Sequence, residues 1–93
     1  MTGAPEIARH VVLEGRVQGV GFRWHTRAEA RAIGVRGWVR NCDDGSVEAH
    51  LEGHPDRVEE LLAWLDDGPS GARVDAVDVR TVAPEALPAF EIR

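Results

Sequence analysis

The middle of the chain carries the pattern of a β-hairpin, and the position of this hairpin between two helical segments leaves few folds open. Residues 46–53, "SVEAHLEG", alternate apolar and polar side chains, with Val47, Ala49 and Leu51 on one face. The preceding "VRGWVRN", residues 35–41, is typical of a strand. The "CDDG" between the two segments is a turn signal, because its glycine can adopt positive φ. The two strands are therefore predicted to pair as a hairpin.

One helix is predicted on each side of the hairpin. Phe22 to Ile33 is rich in Ala, Arg and Glu, and Gly34 follows it as a left-handed C-terminal residue. The second helix begins at Pro55, which suits a first helical position, and ends near Gly68. Its apolar side chains recur at helical spacing, at Val58, Leu61, Leu62 and Leu65.

Further strands are predicted at Ile7 to Glu14 and Val74 to Val82, and "FEIR" closes the chain as a short strand. The order β-α-β-β-α-β is that of a ferredoxin-like α+β sandwich, an antiparallel sheet with both helices on one face. In this topology the first two strands run parallel to each other, with the third strand between them. The pattern does not assign a partner to the last strand.

Length and composition indicate one small globular domain covering residues 1–93, with residues 1–6 expected to be flexible. The chain has 43% hydrophobic residues, a single cysteine and no apolar run long enough for a membrane span. It also lacks a secretory signal, so we expect a cytoplasmic monomer without a membrane partner. The net charge of -5 argues against a nucleic-acid partner, because phosphate backbones favour clustered cations.

The stretch "EGRVQGVGFR", Glu14 to Arg23, contains three glycines and ends in an arginine at the start of the first helix. In the predicted topology this loop and Asn41 lie at the same edge of the sheet, about two strand spacings or 9.5 Å apart. Backbone amides of a glycine-rich loop and a helix N-terminus both favour an anion. Arg23 opposes the positive helix end unless an anion lies between them. The loop is therefore predicted to bind phosphate.

Other motifs are absent or have structural explanations. Trp24 stands where a dinucleotide fingerprint needs glycine, and Walker A needs lysine, which the chain lacks. His50 and His54 are not expected to bind a metal, because one lies in a strand and the other precedes a proline. We expect Cys42 to be structural and His25 to be a surface residue. Trp38 and Trp64 are predicted in the core, and Trp24 is predicted to be partly exposed near the site.

Two segments, "LEGRVQGVGFR" (residues 13–23) and "GWVRNCDDGSVEAHLEG" (residues 37–53), resemble the signature segments of the acylphosphatase family. The resemblance implies metal-independent hydrolysis of acyl phosphates, with no cofactor and with inorganic phosphate as product and inhibitor. By position it implies that Arg23 binds the phosphoryl group and that Asn41 orients the attacking water. It also implies a cradle made by the backbone amides of Arg16, Val17, Gln18, Gly19 and Val20.

Two other classes of protein remain as alternatives. RNA-recognition domains share the predicted fold, but they need aromatic side chains on the open face of the sheet. The third predicted strand instead places Glu48, His50 and Glu52 together on one side. The other alternative is an acylphosphatase-like accessory domain of a carbamoyl-transfer maturation protein. Hydrolysis of acetyl phosphate or benzoyl phosphate distinguishes the enzyme from both alternatives.

Overall fold

The computed structural model describes residues 5–93, which form two helices and five strands in the predicted order. The elements are β1 (Ile7–Arg16), α1 (Phe22–Ile33), β2 (Arg36–Asn41), β3 (Val47–Gly53), α2 (Pro55–Asp67), β4 (Arg73–Val82) and β5 (Phe90–Ile92). Of the segment expected to be flexible, residues 1–4 lie outside the described part. Pro5 and Glu6 are exposed and belong to no helix or strand.

The five strands form one mixed sheet in the order β4-β1-β3-β2-β5. Strand β3 lies between β1 and β2 and is antiparallel to both, so β1 and β2 run parallel as predicted. Strand β5 joins β2 in parallel, with Phe90 opposite Gly37 and Ile92 opposite Val39. The antiparallel pairing predicted for the other four strands is confirmed, and β5, whose partner the sequence did not assign, makes the sheet mixed. Residues 83–89 connect β4 and β5, which lie at opposite edges of the sheet.

Both helices pack on one face of the sheet and share its hydrophobic core. Alternate side chains of the strands supply one side of this core, as the period of two requires. Buried side chains of α1 and α2 at helical spacing supply the other side. The fully buried core residues include Val11, Leu13, Val39, Val47, Ala49 and Leu51 from the sheet and Ala30, Val58, Leu61 and Leu65 from the helices.

The two tryptophans predicted in the core lie in different places. Trp64 is half-buried against the core, with its ring centroid 6.3 Å from that of Phe22. The prediction for Trp38 is wrong, because this ring lies on the face of the sheet opposite the helices. It stacks on His50 at 6.2 Å, and the guanidinium of Arg93 lies 5.2 Å from its centroid. Its neighbour Val39 takes the core position, since side chains alternate along β2.

A buried carboxylate ties the connection between β4 and β5 to this second face. Glu52 is fully buried, and its two carboxylate oxygens accept hydrogen bonds from the backbone amides of Glu85 (2.7 Å) and Leu87 (2.8 Å). His50 Nε2 lies 2.8 Å from Glu52 Oε1, and the guanidinium of Arg36 lies 3.5 Å from Oε2. The buried charge is thus compensated by several partners, which is the condition under which proteins tolerate one.

The pKa of Glu52 lies below its usual value. Burial alone raises this pKa, but the hydrogen bonds from the amides of Glu85 and Leu87 and the contact with His50 outweigh burial. A carboxyl whose pKa is lower in the folded than in the unfolded chain stabilises the fold above the unfolded value, which is about 4.3 for Glu. This contribution is lost as the pH falls through the folded pKa.

Glu52→Gln is therefore expected to lower the free energy of unfolding by about 1–3 kcal/mol at pH 7, because the backbone amide of Glu85 or of Leu87 loses its acceptor. The difference from wild type should shrink as the pH falls from about 4.3 through the lower folded pKa of Glu52, since the wild-type carboxylate becomes protonated over this range. Urea denaturation at several pH values measures both effects. Glu91→Gln removes an exposed carboxylate and should change stability by less than about 0.5 kcal/mol. A difference that grows on acidification would contradict this role of Glu52.

Candidate active site

A cavity of about 220 Å³ opens where the loop after β1, the start of α1 and the end of β2 meet. This is the edge of the sheet where the predicted topology places the glycine-rich loop beside Asn41. The cavity is smaller than the roughly 300–1,000 Å³ of pockets that hold drug-sized ligands, so it suits a small molecule. Its lining residues are Val17, Gly19, Gly21, Phe22, Arg23, Trp24, Asn41 and Ile92.

The glycine-rich segment begins inside the sheet. We predicted that the chain leaves the first strand at Gly15, but β1 continues to Arg16, which lies in register with Arg73 of β4. The register shifts between Glu14 and Gly15, which marks a β-bulge. A Cβ on Gly15 would lie 2.2 Å from the carbonyl oxygen of Arg73, at a φ of 131°. Gly15 is therefore required by the close approach of β4 rather than by a turn.

The loop proper is held in place by two side chains. Val17 is buried in the core, and Gln18 Nε2 donates hydrogen bonds to the carbonyls of Cys42 (2.7 Å) and Ser46 (2.9 Å). These two bonds fix the loop against the turn that follows Asn41. Within the part of the chain that the structure describes, the amides of residues 17–20 donate to no backbone or side-chain acceptor. Such a run of free amides in a curved loop is a site for an anion.

The N-terminus of α1 adds to this preference for an anion. Gly21 is the N-cap in left-handed conformation, and none of the described side chains caps the helix. The first turn of α1 contains no acidic residue. The first helical hydrogen bond runs from the amide of His25 to the carbonyl of Gly21, so the amides before it have no partner within the helix. These amides and the helix dipole place partial positive charge at this side of the cavity.

Arg23 and Asn41 line the same cavity, although they come from different elements. Arg23 lies in the first turn of α1, and its guanidinium is in no ion pair with residues 5–93. Asn41 is the last residue of β2, and its side chain has no hydrogen-bond partner within the same range. Among the described residues none of those lining the cavity is acidic, so Arg23 faces no competing carboxylate there.

Hydrogen bonds hold the turn that follows Asn41. Asp44 Oδ1 accepts hydrogen bonds from the amide (3.0 Å) and the hydroxyl (2.6 Å) of Ser46. Both bonds lower the pKa of Asp44, and the bond from the Ser46 hydroxyl has the larger effect. The carbonyl of Ser46 in turn accepts bonds from Gln18 and from the amide of Cys42. The turn and the glycine-rich loop thus form one hydrogen-bonded unit around the end of β2.

The structure brings together part of the site predicted from the sequence. Arg23, Asn41, Val17 and Gly19 line the cavity, and Arg16, Gln18 and Val20 do not. Three contributions were missed, namely Phe22, Ile92 and the side chain of Gln18. Ile92 lies in β5, so only the pairing of β5 with β2 reveals it. The side chain of Gln18 has no signal in the sequence beyond a polar residue in a glycine-rich loop.

The remaining candidates lie apart from the predicted chemistry. His25 is exposed as predicted, with its ring edge-on to Trp24 at 5.8 Å. His54 is the N-cap of α2, where its side chain accepts from the amide of Asp56. Among residues 5–93 no group of three or more His, Cys, Asp or Glu side chains is arranged to hold a metal ion. None of the described helices is both long and apolar enough to span a bilayer.

Comparison with known proteins gives consistent results. The family model for acylphosphatases matches residues 9–92. The acylphosphatase of Thermococcus kodakarensis is 52% identical over 86 residues, which covers 92% of this chain and 94% of that protein. A solved acylphosphatase from Coxiella burnetii superposes with a TM-score of 0.91 at 36% identity, covering 95% of this chain and 93% of that one.

A similarity to full-length HypF, solved in a phosphate- and nucleotide-bound form, is more limited. Its TM-score is 0.86 at 26% identity, and it covers 96% of this chain but only 12% of HypF. The fold therefore also occurs as one part of a much longer protein. The family match over nearly the whole chain, the high identity to a relative of similar length and the shared fold lead to one conclusion. This chain belongs to the acylphosphatase family.

Proposed function

We propose that the cavity hydrolyses the carboxyl–phosphate anhydride bond of acyl phosphates, and that Arg23 and Asn41 are its catalytic residues. The observation that carries this proposal is their meeting in one small cavity, beside free loop amides and without a lining carboxylate in the described chain. The products are a carboxylate and inorganic phosphate. The family membership supports the reaction, and the geometry supports the assignment of roles.

Arg23 binds the phosphoryl group of the substrate in this proposal. Its planar guanidinium can donate to two phosphoryl oxygens at once, and among residues 5–93 it has no ion-pair partner that would have to leave first. The amides of the loop and of the α1 N-terminus hold the remaining oxygens. Of the predicted cradle, Val17 and Gly19 border the cavity directly, and we keep Arg16, Gln18 and Val20 as proposed members of the same loop.

Asn41 orients the attacking water. Its amide can bind a water in line with the bond to be broken, and the cavity provides the necessary proximity to the phosphoryl group. An oxygen–phosphorus bond forms to this water while the bond from phosphorus to the acyl oxygen breaks. An amide is not a base, so the proton of the water passes to a phosphoryl oxygen of the substrate. The electron pair of the broken bond leaves with the carboxylate.

Hydrolysis of an acyl phosphate requires few catalytic groups, which agrees with a site made of Arg23, Asn41 and backbone amides. The leaving group is a carboxylate whose acid has a pKa of about 4–5, so no general acid has to protonate it. The remaining tasks are to balance the charge of the phosphoryl oxygens and to align the water, and positioning and electrostatics supply most of the rate in phosphoryl transfer. Arg23 and the amides can meet this demand for positive charge, so the proposed mechanism involves no metal ion.

The purified chain is expected to hydrolyse acetyl phosphate and benzoyl phosphate, with inorganic phosphate as a competitive inhibitor. The rate should be the same with and without a chelator, because the proposed mechanism uses no metal ion. Release of phosphate measures turnover of acetyl phosphate, and loss of ultraviolet absorbance measures turnover of benzoyl phosphate. Absence of hydrolysis above the buffer rate would contradict the proposed function. Loss of activity in the chelator would contradict only the metal-free mechanism.

A further inference from the structure

Trp24 is the most exposed large hydrophobic residue in the described part of the chain. Its exposed fraction is 60%, compared with 43% for Val79 and 36% for Val82. It follows Arg23 directly on α1 and lines the same cavity. Its ring makes an edge contact with His25, which leaves most of the indole surface in solvent. The indole of Trp24 has no role in the proposed mechanism, although it lines the cavity in which the phosphoryl group is proposed to bind.

The cavity has a polar part and an apolar part. Arg23, Asn41 and the loop amides can bind the phosphoryl group and the water, and these groups account for the polar lining. The rest of the lining is apolar and includes Trp24 and the half-buried Ile92 of β5. An acyl phosphate has the same two parts, since its phosphoryl group is joined to an acyl group through one oxygen. Once the phosphoryl group is held by Arg23, the acyl group has to lie against a neighbouring wall.

We propose that Trp24 and Ile92 form the acyl-binding wall of the site, so that acyl phosphates with an apolar, flat acyl group are the preferred substrates. This inference rests on the proposed function and adds a substrate class to it. A flat acyl group gains from burying apolar surface against the indole and from the orientation that aromatic pairs favour. A charged acyl group finds no counter-ion here, because Arg23 is the only charged residue among the described lining residues and is occupied by the phosphoryl group.

Trp24→Ala tests this inference through substrate preference. The ratio of kcat/KM for benzoyl phosphate to kcat/KM for acetyl phosphate is expected to fall about tenfold, because only the benzoyl group is large enough to cover the indole. A tenfold change corresponds to about 1.4 kcal/mol. Trp24→Phe retains an aromatic ring and should keep most of the preference. Val79→Ala, which trims an exposed apolar side chain of β4, should leave the ratio unchanged.

Binding without turnover gives a second measurement. Benzoylphosphonate carries the benzoyl group but has a carbon–phosphorus bond in place of the anhydride, so it cannot be hydrolysed in the same way. Inorganic phosphate has no acyl group. Trp24→Ala should weaken inhibition by benzoylphosphonate about tenfold, in line with the substrate ratio, and should leave inhibition by inorganic phosphate nearly unchanged. Urea midpoints of the variants verify that they are folded, and an exposed position on a helix is expected to tolerate alanine.

The outcomes separate this inference from the proposed function. A wild-type protein that hydrolyses neither substrate would remove the proposed function and the inference together. A wild-type protein that hydrolyses both, with the same substrate ratio in Trp24→Ala, would remove only the acyl-binding wall. Equal losses for both substrates, together with weaker inhibition by inorganic phosphate, would also overturn the inference, because they would show that Trp24 supports the phosphate loop rather than the acyl group.

Discussion

Arg23→Ala is expected to lower kcat/KM for acyl phosphates by about 10³-fold or more, the range found when an arginine that stabilises a transferring phosphoryl group is removed. The side chain acts on the phosphoryl oxygens in both ground state and transition state, so competitive inhibition by inorganic phosphate should disappear along with turnover. Steady-state kinetics with benzoyl phosphate at increasing phosphate concentration measure both effects. The matched control is Arg27→Ala, which removes the same charge one turn further along α1 from a residue that does not line the cavity.

Arg23→Lys distinguishes the shape of the group from its charge. A lysine ammonium is a compact charge that cannot donate to two oxygens from a planar fork. We therefore expect Arg23→Lys to restore little of the activity. Near-normal turnover in either variant, or an equal loss in Arg27→Ala, would remove Arg23 from the mechanism.

Thermal unfolding tests the same role of Arg23 without catalysis. A ligand that binds only the native state stabilises it by RT ln(1 + [L]/Kd), about 1.4 kcal/mol at ten times Kd. For a domain of this size the wild-type Tm should rise by roughly 5–10 °C in phosphate. Multivalent anions also stabilise proteins by exclusion, so the comparison must be made at matched ionic strength. Arg23→Ala should lose the saturable part of the shift and keep the linear part. Equal saturable shifts in both proteins would place the anion elsewhere.

The order of the elements and the place of the cavity could be predicted from the sequence because both depend on local signals. Apolar residues recur every two positions in the strands and every 3.6 positions in the helices, so the order of the elements can be read along the chain. The ferredoxin-like topology then places the loop before Arg23 next to Asn41. Neither step needs contacts between distant residues. The helix bounds at Gly34 and Pro55 were correct for the same reason, since a left-handed glycine and an N-terminal proline act within one turn.

The details that the sequence did not predict depend on contacts between distant parts of the chain. Strand β5 has only three residues, and its apolar-polar-apolar pattern is too short to indicate its pairing with β2 or the place of Ile92 in the site. Tryptophan is typical of a hydrophobic core, but Trp38 lies on the face of the sheet opposite the helices, where its ring contacts His50 and Arg93. On the same face the carboxylate of Glu52 accepts hydrogen bonds from amides more than thirty positions further along the chain.

The role of Gly15 was predicted incorrectly, although the glycine itself is a signal in the sequence. A glycine between an apolar strand and a glycine-rich loop suggests the end of the strand, and we predicted that the chain turns there. Glycine within a strand also marks a bulge or a close backbone approach. The structure shows both features, with the register shift at Gly15 and the Arg73 carbonyl where a Cβ would be. Only the partner strand β4 distinguishes the two interpretations.

Asn41→Ala is expected to lower kcat by about 10²-fold or more, the effect of losing one positioned group. The change should differ in kind from that of Arg23→Ala, because Asn41 is proposed to orient the water and not to hold the phosphoryl group. Inhibition by inorganic phosphate and the saturable rise in Tm should therefore survive. Cys42→Ala is the matched control, since Cys42 is the next residue in the chain, is half-buried and does not line the cavity.

The double variant Arg23→Ala/Asn41→Ala completes this test. Groups that act as a unit in one transition state have non-additive effects, so the double variant should lose less activity than the product of the two single losses. If phosphate affinity collapses together with kcat in Asn41→Ala, then Asn41 binds the phosphoryl group directly or supports the loop, and its proposed role is wrong. If Cys42→Ala loses as much activity as Asn41→Ala, the loss comes from distortion of the turn after β2, because both substitutions would then act through the hydrogen bonds that join this turn to Gln18.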